Sequence, residues 1–148
     1  MTIGIIGLGL IGGSMAIDLK RRGFAARIIG VEADPVSASA AMKIGLADEV
    51  VSYDQCVEES DIVVVAVPVG TAVKMVPDIL DRFQAAGAKD KIVIDTCSTK
   101  EQITIATHYH PCRSQFVSTH PMAGSDTEPF RRKGMHLRQS GGIVSKGA

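Results

Sequence analysis

Tryptophan is absent from this sequence, and only two tyrosines and four phenylalanines occur among its 148 residues. A core with so few rings has to be filled by aliphatic side chains, and the hydrophobic fraction of 45% supplies them. Val, Ile and Ala packed on both faces of a strand mark a buried parallel sheet covered by helices. Net charge is absent as well, since 16 basic residues balance 16 acidic ones. That balance argues against nucleic acid or an anionic membrane as the main partner. No apolar run approaches the ~20 residues of a membrane span. Neither does a basic stretch precede an apolar one at the N-terminus, so no export signal is expected. Cysteine is scarce. Cys56, Cys97 and Cys112 are odd in number and far apart, which fits reduced thiols in a cytoplasmic protein, not a disulfide frame or a zinc site. The length suits one domain, or one and a fragment.

What the sequence does have is glycine near its start, in the stretch GIIGLGLIGGS from Gly4 to Ser14. Apolar runs and helical patterns then alternate. Residues 2–6 read as a first strand and 10–22 as a helix, with Ile11, Met15 and Leu19 on one face. Further strands are expected at 27–32, 48–52, 61–67, 91–96 and 115–119. The strongest is 61–67, a continuous apolar run stopped by Pro68. Pro35 suits the first position of a helix, with Asp34 as its cap. Val73, Val76, Leu80 and Phe83 recur at helical spacing through 71–86, with Pro77 as a local irregularity, and 99–107 fits one short helix. Strand and helix in alternation, with short connections, require right-handed crossovers. The expected fold is α/β, a doubly wound parallel sheet of Rossmann type.

Gly7, Gly9 and Gly12 form G-x-G-x-x-G between the first strand and the first helix. Each has a task in binding a dinucleotide: Gly7 for the tight turn, Gly9 for close approach of a pyrophosphate, Gly12 for packing helix on strand. Leu8, Leu10 and Ile11 complete the candidate cradle, and the free N–H groups of the helix start attract phosphate. Glu32 ends the second strand about 20 residues after Gly12, the distance at which a carboxylate meets the adenine ribose. A carboxylate there repels a 2′-phosphate, so NAD is expected over NADP. Asp34 competes for that role but suits a helix cap better. Val67 and Pro68 fall at the carboxyl edge of the fourth strand, where ligands sit in open α/β sheets.

The same edge should receive DTCSTK (95–100) from the fifth strand and STHPMAG (118–124) from the sixth. Ser98, Lys100 and His120 then stand beside the nicotinamide. Histidine titrates near neutrality and suits removal of a hydroxyl proton next to a hydride acceptor. His108, His110 and His136 lack such a placement and read as surface residues, and no third ligand with suitable spacing joins the 108/110 pair to hold a metal. Cys97 reads as a small buried filler.

Taken together, GLGLIGGS, the acid-ended second strand, AVPV (66–69), DTCSTK and STHPMAGS resemble the prephenate dehydrogenase family over residues 1–126. The resemblance implies NAD(P)-dependent oxidative decarboxylation of prephenate to 4-hydroxyphenylpyruvate in tyrosine biosynthesis, with arogenate replacing prephenate in some members. By that resemblance Gly7, Gly9 and Gly12 hold the pyrophosphate and Glu32, at a position that is often Asp, holds the ribose. His120 engages the substrate's ring hydroxyl, assisted by Ser98, with Lys100 nearby. The family also has a second, helical domain that forms the dimer interface and supplies arginines for the substrate carboxylates. Here the resemblance stops at Asp126, and from Thr127 to Ala148 one acid, Glu128, faces five bases. The expectation is a nucleotide domain (1–126) with a basic, solvated tail (127–148), from a truncated or frameshifted product that binds NAD but turns over poorly. Two other readings stay open: another Rossmann dehydrogenase with a helical second domain, and a non-catalytic NAD-binding module.

Overall fold

Strand and helix alternate along the chain: β1 (Thr2–Ile6), α1 (Leu10–Arg21), β2 (Arg27–Val31), α2 (Pro35–Lys43), β3 (Glu49–Val50), α3 (Tyr53–Glu59), β4 (Ile62–Val65), α4 (Val69–Ala85), β5 (Ile92–Asp95), α5 (Glu101–Thr107) and β6 (Phe116–Ser118). These elements come from a computed structural model that describes residues 1–121. The expected tail, 127–148, with His136, lies outside the described residues. All strands pair in parallel, in the order β3-β2-β1-β4-β5-β6. β1 is therefore central. The chain steps outward from it to β2 and β3, then returns to its other side for β4, β5 and β6. That reversal opens a crevice at the carboxyl ends of β1 and β4.

Alternation along the strands divides the core in two. Ile3, Ile5, Ile28 and Val64 face Ala16 of α1 and Ala41 of α2. Ile6, Ile29, Val63, Val65, Val93 and Phe116 face α3, α4 and α5 through Cys56, Val57, Val76, Ile79, Leu80, Phe83 and Ile103. Each fully buried Ile, Leu or Val contributes roughly 1.5–3 kcal/mol, so aliphatic side chains carry this core, with Phe83 and Phe116 as the buried rings among the described residues.

The expected doubly wound parallel sheet is present, with local differences. Of the apolar residues expected to share one face of α1, Ile11 is exposed and Met15 and Leu19 are only half-buried, whereas Gly12, Gly13 and Ala16 are buried. The helix lies too close to β1 for large side chains. β4 ends at Val65, two residues before the expected end, because its neighbours β1 and β5 also stop there, at Ile6 and Asp95. α3 was not anticipated. Its cap is Ser52, whose hydroxyl accepts the Gln55 N–H at 3.2 Å, and its buried side is Cys56 and Val57. At α2, Asp34 accepts the Ser37 N–H at 2.8 Å, with Pro35 opening the helix. α4 runs through Pro77 unbroken.

Candidate functional site

β1 runs into the glycine turn. Gly7 has φ +93°, and its N–H donates to the Val31 carbonyl at 2.9 Å. A Cβ on Gly7 would stand 2.5 Å from the Ala66 carbonyl oxygen, and one on Gly12 would stand 2.0 Å from the Gly7 oxygen. Both glycines are required by backbone packed on backbone. Gly9 differs, because a Cβ there meets nothing within 4 Å. Its surroundings are open, and a side chain there would occupy the space an incoming group needs. Gly9 also starts α1, and no side chain caps that helix. The first bond into α1 runs from Gly13 N–H to Gly9 carbonyl at 2.8 Å. The amides ahead of it are therefore not consumed by the helix, and they present the positive dipole end to the crevice. No acidic residue lies in that first turn. This combination fits an anion such as a pyrophosphate.

The other expected cradle residues divide by exposure. Leu8 is buried against Gly30, where a Cβ would come within 2.5 Å of its Cδ1, so its side chain plugs the turn from below. Leu10 and Ile11 are exposed on the crevice end of α1. Glu32 stands at the rim. Its Oε2 accepts the Leu8 N–H at 3.1 Å and its Oε1 accepts the Asp34 N–H at 3.2 Å. Asp34 is occupied as the α2 cap, which leaves Glu32 as the carboxylate at the turn. From the β4 side, Val67 approaches the turn, with its Cγ1 3.0 Å from a Cβ placed on Gly7, and exposed Pro68 begins α4.

At the far edge β5 and β6 lie side by side, with Asp95 opposite Ser118. Ser98 is exposed in the loop after β5, and His120 is exposed two residues past β6. Both therefore leave adjacent strands at the same edge as the glycine turn. Among the described residues no hydrogen bond joins their side chains. Lys100, expected with them, turns inward instead. Its ammonium donates to the buried Asp95 carboxylate at 2.5 Å and to the Thr119 carbonyl. That carboxylate also accepts the Cys97 N–H at 3.0 Å. Sequence reasoning missed Asp95 as a site element, and its signal was a lone acid closing an apolar strand. Cys97 is buried as expected, and burial pushes its thiol pKa up. His110 is not the surface residue expected: its ring contacts Asp81 through Nε2 at 3.1 Å and accepts the Cys112 N–H at 3.0 Å on Nδ1. It ties the loop after α5 to α4.

A family described as "Prephenate dehydrogenase, nucleotide-binding domain" matches residues 15–133. The chain belongs to the prephenate dehydrogenase family. The match begins after the glycine turn, so it rests on the sequence beyond the fingerprint. The prephenate dehydrogenase of Bacillus subtilis is 39% identical over 127 residues, covering 84% of this chain and 33% of that protein. Among solved structures, prephenate dehydrogenase from Aquifex aeolicus, in complex with hydroxyphenyl propionate and NAD+, is 27% identical with a TM-score of 0.65, covering 85% of this chain and 43% of that one. Synechocystis arogenate dehydrogenase is equally similar, at 27% identity and a TM-score of 0.66 over 85% of this chain and 42% of its own. The chain thus spans about a third of the length of the curated prephenate dehydrogenases it matches.

Proposed function

We propose that this chain is the cofactor-binding part of an NAD-dependent prephenate dehydrogenase acting in tyrosine biosynthesis. The observation that carries the reading is the glycine turn at the reversal of strand order, with the Glu32 carboxylate fixed at its rim. The first-turn amides of α1 hold the pyrophosphate, and the space beside Gly9 admits it. Glu32, already oriented by two backbone N–H groups, receives the ribose hydroxyls and repels a 2′-phosphate. Val67 and Pro68 flank the ring end of the crevice. When bound, the nicotinamide accepts a hydride from the carbinol carbon of the substrate. His120 takes the hydroxyl proton of that carbon, and Ser98 orients the hydroxyl or the imidazole. Loss of carbon dioxide follows from aromatisation of the ring.

Prephenate is preferred over arogenate because two curated relatives, at 39% and 33% identity, are prephenate dehydrogenases. The complete catalytic unit of this reading pairs residues 1–126 with a helical domain and forms a homodimer, in the cytoplasm. Calorimetric titration of this chain with NAD+ and NADP+ tests the cofactor half of the proposal. NAD+ should bind at least about 10-fold more tightly, a difference of about 1.4 kcal/mol, and Glu32→Ala should erase the preference. Equal affinity for the two cofactors, or none for either, would sink it.

A further inference from the structure

Thr119 has three polar groups, and each is held. Its N–H donates to the Asp95 carboxylate at 3.3 Å, and its hydroxyl donates to the Asp95 carbonyl at 2.5 Å. Its own carbonyl accepts from the Lys100 ammonium. Lys100 also donates to the Asp95 carboxylate, which has no solvent exposure. On the β5 side, the same carboxylate takes the Cys97 N–H. One acid and one base therefore hold Cys97 and Thr119, near the starts of two loops. The next residue along one loop is Ser98, and the next along the other is His120.

The location of these bonds matters. Strand pairing between β5 and β6 ends at Asp95 and Ser118. The contacts to Thr119 and Cys97 lie beyond it: Thr96 N–H still donates to the Val65 carbonyl of β4 at 3.2 Å, but no β5–β6 pairing reaches Cys97 or Thr119. A carboxylate out of water is costly unless it is paired and hydrogen-bonded. Here its partners are spent on the two loop entrances. We propose that Asp95 and Lys100 form a clamp that sets the positions of Ser98 and His120 relative to each other. Lys100 is then a positioning residue that acts through Thr119, not a group that touches substrate. The proposal rests on the reading of Ser98 and His120 given above.

The test uses the whole chain, with amide hydrogen exchange and imidazole signals followed by NMR. Lys100→Met removes the ammonium. An unpaired buried carboxylate can prevent folding, so the double variant Asp95→Asn/Lys100→Met, which leaves no buried charge, is measured alongside it. In the folded variants, exchange at Thr119 and Cys97 should rise at least about 10-fold, and the His120 ring signals should shift. Amides in β1 and β4, and the affinity for NAD+, should stay within about twofold. Lys100→Arg, which keeps a donor for both partners, should restore the protection of Thr119. Unchanged protection of Thr119 in a folded variant overturns the proposal. So does an equal loss of protection across β1 and β4, which would make the pair a general stabiliser. Failure of the unaltered chain to bind NAD+ counts against the cofactor reading instead, and the exchange at Thr119 still decides the clamp.

Discussion

The two edges of the crevice are made rigid by opposite means. At the glycine turn, position is fixed by backbone lying on backbone, with Gly7 against Ala66 and Gly12 against Gly7. Beyond β5 and β6, position is fixed by a buried charge pair and the amides it gathers. Under the proposed function, the difference follows from what each edge offers a ligand. A surface for phosphate needs bare N–H groups, and any side chain there is an obstruction. A surface for proton transfer needs side chains that reach outward, and its scaffold must hold the loops from behind.

That contrast can be broken from either side. The largest effect is expected at the charged edge. Asp95→Ala strands the Lys100 ammonium together with the Cys97 and Thr119 N–H groups, and losing one partner of such a pair costs about 3–5 kcal/mol, read by urea denaturation. At the glycine turn the effects should separate by position. Gly12→Ala forces a methyl onto a backbone oxygen and should cost about 1–3 kcal/mol. Gly9→Ala should leave the urea midpoint nearly unchanged while weakening NAD+ binding on the order of 10-fold. Equal stability losses at Gly9 and Gly12 would falsify the division between a packed and an open glycine.

The smallest effect lies at the opposite, amino end of the sheet, away from both edges. Asp48 accepts the Ile28 N–H at 2.7 Å and the Lys20 ammonium at 2.6 Å. These bonds hold its carboxyl pKa below the usual range, the Ile28 N–H foremost. A lowered folded pKa contributes stability that is complete above the unfolded value of about 3.9 and is lost as pH falls through the folded one. Urea midpoints of the unaltered chain should therefore drop between pH 5 and 3 more steeply than those of Asp48→Asn.

The half of the site built from local sequence was legible. Spacing marked the tight turn at Gly7 and the helix-on-strand contact at Gly12, both present in the fold, and an acid at the end of an apolar strand marked Glu32, whose carboxylate lies at that turn. The helix α3 was missed although Ser52 and Gln55 carry the spacing of a capping pair, because the short strand before it drew Ser52 into its reading. The apolar face of α1 does not coincide with its buried one, for a different reason. Hydrophobic periodicity selects large side chains, and close packing there selects none. Contacts between distant segments leave no local trace. Thr119 meets Asp95 across 24 residues and His110 meets Asp81 across 29, and nothing in either neighbourhood announces its partner.

The central place of β1 also bears on how the chain is made. β2 follows it within a few tens of residues, but its other neighbour is complete only at Val65. At ~5–20 residues per second during synthesis, Ile3, Ile5 and Ile6 wait several seconds with one strand edge bare. A bare apolar edge is a template for pairing with other chains. An unpaired edge of β1 is thus exposed between synthesis of the first strand and the fourth, and slower translation prolongs that exposure.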